Sequence, residues 1–188
     1  MILTSRFGDA LSFAFLVHAT QERKGSGVPY FEHLLGVASI ALGYGADEEE
    51  AIAALLHDAV EDQGGATMLD EIKTCFGERV ASIVNGCTDT YEVPKPPWRV
   101  RKEAYISHLA TASPSVLLIS GSDKLHNARS ILRDYRAGGD SLWDRFAGGK
   151  SGVLWYYRTL VETYRKVSPS PLSEELGRTV AELEDLAT

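Results

Sequence analysis

The sequence predicts an all-α fold, a multi-helix bundle of about eight to ten helices in one domain. Three observations carry that prediction. Apolar residues recur at three- and four-residue steps through most of the chain, the period of a helix with one buried face. Glycine, proline and acidic capping residues punctuate those stretches at helix-length intervals. No alternating run of β-branched residues extends beyond about four positions, so strands have no support. With 188 residues, 44% of them hydrophobic and 24% charged, the chain can bury a core of its own.

Phe7, Ala10, Leu11, Ala14 and Val17 mark an amphipathic helix from Ser5 to about Arg23, followed by a polar loop, Gln21–Gly27. Pro29 occupies a first helical position, and the second helix runs from Tyr30 to Leu42, stopped by Gly43 and Gly45. Asp47 with Glu50 is an acidic capping box; it opens a third helix that continues to Gly64-Gly65. Thr67–Phe76 and Glu78–Asn85 are shorter helices broken at Gly77. Pro94, Pro96 and Pro97 make Thr88–Trp98 a loop, and Arg99–Ala110 is helical again. Pro114 opens a long helix reaching Tyr135, with Leu118, Gly121, Leu125, Ala128 and Leu132 as its packing stripe and Asp123 and Asn127 on another face. Gly138-Gly139 and Gly148-Gly149 interrupt the chain before helices over Val153–Arg165 and about 172–187.

A net charge of −7 disfavours a nucleic-acid backbone as partner. No apolar run approaches the length of a membrane span, and the first residues lack a signal-peptide pattern. Cys75 and Cys87 stand without a CxxC motif and are expected to be reduced and buried. These features predict a cytoplasmic protein with a small-molecule partner and no nucleic acid or membrane; a homo-oligomer is left open.

The stretch Ala53–Asp62 concentrates the chemistry. On a continuous helix His57 and Glu61 lie four apart, as do Asp58 and Asp62, so all four ionisable groups share one half of the surface. Three carboxylates beside an imidazole repel one another and lose solvation when packed, which calls for a cation among them. His33 on the second helix and Asp123 on the long one can complete the set. Two imidazoles and two carboxylates form a mixed N/O group suited to Mn²⁺, Fe²⁺ or Zn²⁺. Such an ion lowers the pKa of the water it binds and neutralises charge on a phosphoryl oxygen. A carboxylate must then accept or steer the water's proton, and Glu61, then Asp62, are the candidates. Arg23, Lys24 and Lys102 add positive charge for an anionic substrate, with Arg99 or Arg101 as further sources. His18 is expected to be buried and hydrogen-bonded, His126 to support a ligand from behind, and His108 to lie on the surface.

His33, His57-Asp58 and Asp123 follow the H…HD…D order of the HD phosphohydrolase superfamily. His18–Lys24, Pro29–His33, Leu55–Asp62, Phe76-Gly77 and Asp123–Asn127 together resemble the hydrolase domain of the RelA/SpoT enzymes, which also occurs alone in the small alarmone hydrolases. The resemblance spans about residues 10–165 and treats 1–188 as one hydrolase domain. It implies one Mn²⁺ held by His33, His57, Asp58 and Asp123, and removal of the 3′-pyrophosphate from (p)ppGpp to give GDP or GTP and pyrophosphate. It further implies that Glu61 and Asp62 act on the attacking water, that Arg23 and Lys24 pack along the guanine, and that Asn127 contacts the nucleoside. Lys102 and Tyr105 match positions facing the phosphates, and Tyr156 or Tyr157 the ribose side. Leu34, Ala59, Gln63 and Ser122 depart from the family pattern without removing a ligand. Two alternatives belong beside this expectation: a phosphohydrolase of another nucleotide such as NADPH, and a non-catalytic alarmone-binding regulator.

Overall fold

The computed structural model describes residues 2–90 and 94–188, and among them the chain forms ten α-helices and one 3-10 segment. Helix α1, Ser5–Val17, begins where the Thr4 side chain accepts the Arg6 N–H, and ends at His18, short of the expected Arg23. The reason lies downstream, where the chain folds back on itself. Arg23 N–H donates to the Val28 carbonyl and Tyr30 N–H to the Gln21 carbonyl, each at 2.8 Å. Gly25 and Gly27 make that reversal with φ of 74° and 68°, where a side chain would be strained. Pro29 is drawn into a bridge with Glu22 rather than opening the next helix, so α2 is Phe31–Gly43.

The predicted third helix is two helices. Asp47 and Glu50 form the capping box that starts α3, Glu48–Leu56, and α4 covers Ala59–Gln63. The interruption falls at His57-Asp58 and has a local cause. His57 Nδ1 donates to the Ala54 carbonyl at 2.9 Å, and that oxygen would otherwise accept the Asp58 N–H of a continuous helix.

Helices α5, Gly65–Phe76, and α6, Glu78–Cys87, meet at Gly77, which turns the chain with φ 92°. Part of the proline loop expected over Thr88–Trp98, residues 91–93, lies outside the described residues. Helix α7 is Trp98–Leu109, and α8, Pro114–Gly138, is capped by the Ser113 side chain with proline in its first turn. The 3-10 segment Gly139–Arg145 precedes α9, Gly149–Val167, and α10, Pro171–Ala187. Helix α9 therefore starts before the expected Val153. Gly148 and Gly152 serve packing: a Cβ at either would meet the Trp98 indole, at 2.8 and 3.3 Å.

Two apolar clusters result. The first gathers α1 to α6 around Leu34, Ile52, Leu55, Leu56 and Ile72; the second gathers α7 to α10 around Leu109, Leu160, Leu176 and Leu183. Each such fully buried aliphatic contributes roughly 1.5–3 kcal/mol. Helix α8 feeds both, Val116 and Ile119 into the first and Leu117, Leu125, Ala128 and Leu132 into the second. It is buried nearly all round at its centre, with Gly121, Leu125, Ala128 and Leu132 of the expected stripe and Asp123 of the other face all buried. Cys87 is buried, whereas Cys75 is exposed, because it flanks the narrow stripe of Met68, Leu69, Ile72 and Phe76 that α5 turns to the core. Among the described residues no helix is long and apolar enough to cross a membrane.

Candidate metal centre and adjoining cleft

The break between α3 and α4 aims His57 and Asp58 at one point. His57 Nε2 stands 3.0 Å from Asp58 Oδ2. From α2, His33 Nε2 lies 3.5 Å from that same oxygen and 3.3 Å from Asp123 Oδ1 on α8. His57 Nε2 is 3.8 Å from Asp123 Oδ1. The ligand atoms of His33, His57 and Asp58 all lie within 4.8 Å of one another. Both histidine rings are about 98% buried, yet neither Nε2 has a hydrogen-bond partner. Two orphaned imidazole nitrogens facing two carboxylates, with no donor to satisfy them, form a donor set that a divalent cation fits. The charge balance points the same way. Burial opposes ionisation of Asp58, but the neighbouring His57 and His33 rings hold its carboxyl well below the usual range. Burial likewise opposes ionisation of Asp123, outweighed by the Lys124 ammonium and the two histidines. His57, despite its burial, is pushed well up by Asp58 and Asp123. The point where these groups meet is one that collects positive charge.

Each of the four side chains is held from behind. His57 is oriented by the Ala54 carbonyl, and Asp58 Oδ2 accepts from the Tyr30 hydroxyl at 2.5 Å. Burial, then Asp58 and Asp62, drive the Tyr30 phenol strongly upward, so it stays a donor. Asp123 Oδ2 pairs with Lys124 Nζ, and its Oδ1 accepts from Asn127 Nδ2, both at 2.5 Å. His33 Nδ1 is 2.9 Å from His126 Nδ1. Burial first, and His33 next, lower His126 to about 4.

Glu61 and Asp62 sit one turn beyond Asp58 on α4. Glu61 Oε1 accepts from Lys95 Nζ at 2.7 Å and its Oε2 from the Asp89 N–H at 3.2 Å. Asp62 Oδ2 accepts from Gln21 Nε2 at 2.8 Å. Burial, then the Asp58 charge, raises the Asp62 carboxyl above the ordinary range. Gln21 in turn receives His18 Nδ1 at 2.6 Å, so His18 is buried and hydrogen-bonded, and its ring stacks on Tyr30.

A cleft of about 310 Å³ adjoins the cluster and shares Tyr30, Lys124 and Asn127 with its surroundings. Among the described residues six cations line it, Arg23, Lys24, Lys102, Lys124, Arg133 and Arg145, against two carboxylates, Glu32 and Asp134. In a protein of net charge −7 that is a local reversal of sign. Tyr30, Trp98, Phe146, Tyr156 and Tyr157 supply flat apolar walls. Arg23 Nη2 donates to Asn127 Oδ1 at 2.8 Å, which links the glycine loop to Asp123 through one amide. Lys102 Nζ pairs with Asp89 at 3.1 Å and lies over the Tyr156 ring.

Tyr105 is buried beneath Lys124, 4.7 Å from ring centre to Nζ, rather than on the cleft wall. Arg99 stacks on Trp155 and Arg101 pairs with Asp89, so neither reaches the cleft lining. His108 is exposed on α7. Sequence reasoning assigned no role to Lys124, Arg133 or Arg145. Lys124 had a signal, its position beside Asp123; Arg145 had none, because the 3-10 segment that carries it was not foreseen.

Residues 10–154 match the family described as HD domain. The chain is similar to the guanosine-3′,5′-bis(diphosphate) 3′-pyrophosphohydrolase of Danio rerio, 38% identical over 128 residues that cover 66% of this chain and 68% of that protein. A protein of the same description from Aquifex aeolicus is 38% identical over 122 residues, 65% of this chain but 17% of that much longer protein. A solved structure described as a metazoan ortholog of SpoT that hydrolyzes ppGpp superposes with a TM-score of 0.80, at 26% identity, over 97% of this chain and 98% of that one.

Proposed function

Starting from a chain that belongs to the HD-domain family, we propose that it hydrolyses (p)ppGpp at the 3′ position, releasing pyrophosphate and GDP or GTP. The observation that supports this most directly is the convergence of His33, His57, Asp58 and Asp123, at 3.0–3.8 Å, beside a cation-lined aromatic cleft. Relatives described as 3′-pyrophosphohydrolases favour it over a nucleotidase acting on NADPH and over a regulator without turnover.

In this reading the four residues hold one divalent ion, Mn²⁺ as the family resemblance implies, and two nitrogen and two oxygen donors suit it as they suit Fe²⁺ or Zn²⁺. Such an ion supplies charge neutralisation on a phosphoryl oxygen and acidifies water. The rest falls to side chains. Glu61 takes the proton of the attacking water, and Asp62, whose affinity for protons is raised, is the second candidate. Lys124 and Lys102 face the 3′-pyrophosphate; Tyr105 acts by holding Lys124, and Tyr156 by holding Lys102. Arg23 and Lys24 pack along the purine, with Arg23 fixed by Asn127. Residues 1–188 act as one hydrolase unit whose motif-bearing core is about 10–165, with α10 packed on α8, and the setting is the cytoplasm, where nucleoside polyphosphates occur.

The test is direct. Purified protein with Mn²⁺ and ppGpp should release GDP and pyrophosphate in equal amounts, and a chelator should stop it. Release of inorganic phosphate from NADPH, with no turnover of any guanosine 3′-diphosphate, would reject the assignment.

A further inference from the structure

His33 can serve an ion only through Nε2, and only if that nitrogen carries no proton. Its other nitrogen, Nδ1, lies 2.9 Å from His126 Nδ1, a separation at which the two rings share a single proton. Which ring owns it decides the state of the site. If His33 donates, its Nε2 lone pair faces the gap between Asp58 and Asp123. If His126 donates, His33 carries its proton on Nε2 and turns it toward those carboxylates, 3.3 and 3.5 Å away, closing the position.

With no ion bound, Asp58 and Asp123 draw the His33 proton toward Nε2, and two features oppose them. Glu32 Oε1 stands 3.5 Å from His126 Nε2, and a carboxylate there keeps the His126 proton on Nε2, leaving its Nδ1 to accept. The ring can take that place only because residue 36 is glycine: a Cβ on Gly36 would lie 2.2 Å from His126 Cδ2 and Nε2. Gly36 sits mid-helix in α2, where glycine costs about 1 kcal/mol relative to alanine, and its φ is not one that needs glycine. The packing of the His126 ring accounts for it.

We propose that Gly36, His126 and Glu32 form a positioning unit that fixes the tautomer of His33 with Nε2 open toward the ion. His126 is a positioning residue: it acts through His33. The inference rests on the reading of His33 as a ligand, and its test separates the two.

Long-range ¹H–¹⁵N spectra of metal-free protein report the His33 tautomer without any ion or substrate. Wild type should hold a larger share of the Nδ1–H form than His126→Phe, in which His33 should move further toward Nε2–H. Calorimetric titration with Mn²⁺ should then show about a 10- to 100-fold loss of affinity in His126→Phe and in Gly36→Ala. His126→Gln, whose amide oxygen can accept from His33, should stay within about threefold of wild type by the same reasoning. Glu32→Gln, at a half-exposed position that does not threaten folding, should show a smaller loss in the same direction. An unchanged His33 tautomer in both His126→Phe and Glu32→Gln, or wild-type Mn²⁺ affinity in both, overturns the proposal. A wild-type protein that binds no divalent ion but shows the expected tautomer change would overturn the ligand reading alone.

Discussion

Replacing Glu61 by glutamine separates chemistry from architecture. Both Glu61 oxygens accept, one from Lys95 Nζ at 2.7 Å and one from the Asp89 N–H at 3.2 Å. Glutamine offers one acceptor, so its amide nitrogen must face one of those donors. The pair it weakens most is with Lys95, whose side chain is 44% exposed, which limits the loss to about 1 kcal/mol. For a chain of this length that is a fall in Tm of about 2–4 °C. A lost proton acceptor costs far more, about 10²- to 10⁴-fold in rate, or roughly 3–5 kcal/mol of barrier. Because a native domain holds about 5–15 kcal/mol of stability, a loss of 1 leaves nearly all of it folded, and the rate effect cannot be an unfolding effect. Single-turnover hydrolysis of ppGpp at saturating Mn²⁺, with metal affinity measured alongside, checks this. Glu61→Gln should keep its metal affinity and lose turnover. If it keeps kcat within about threefold while Asp62→Asn loses two decades or more, Asp62 is the proton acceptor and the assignment to Glu61 fails.

Asp123→Ala should lose Mn²⁺ binding by at least about 100-fold in metal analysis after gel filtration, since it removes one ligand and strands the Lys124 ammonium. Gly148→Ala forces a methyl to 2.8 Å from the Trp98 ring and should cost about 1–3 kcal/mol by denaturant unfolding. Gly152→Ala, at 3.3 Å within α9, gains about 1 kcal/mol of helix propensity against milder crowding and should lie near neutral. Asp47→Ala removes the α3 capping box and should cost about 1 kcal/mol at neutral pH. Burial opposes Asp47 ionisation, but the Glu50 N–H and Arg79 outweigh it and hold the carboxyl below its ordinary value of 3.8. Its contribution is therefore complete above 3.8 and lost as pH falls through the lower folded value, so the gap between variant and wild type should close in acid.

The all-α class and most helix positions were legible in the sequence because period and caps act locally. Asp47 and Glu50 announce a helix start within four residues, and the structure places one there. The break at His57-Asp58 was not legible, since it depends on a side chain winning a carbonyl from the backbone, which no residue pattern announces. Gly148 was read as a stop, yet it and Gly152 are sites of close approach by Trp98, and Gly36 by His126, partners distant in sequence. The H…HD…D order pointed to side chains that the fold brings within 3.0–3.8 Å. The far cations of the cleft escaped notice because Arg145 arrives on an unforeseen 3-10 turn that presses against Gly25.

Helix α8 divides its loyalties between the two apolar clusters, and the labour of the site divides with it. The side chains gathered at Asp123 are anchored mainly in the first cluster, while Phe146, Val153, Tyr156 and Tyr157 lean on the second. Repacking of the second cluster can therefore reshape the aromatic wall of the cleft while the four side chains around Asp58 keep their own anchorage.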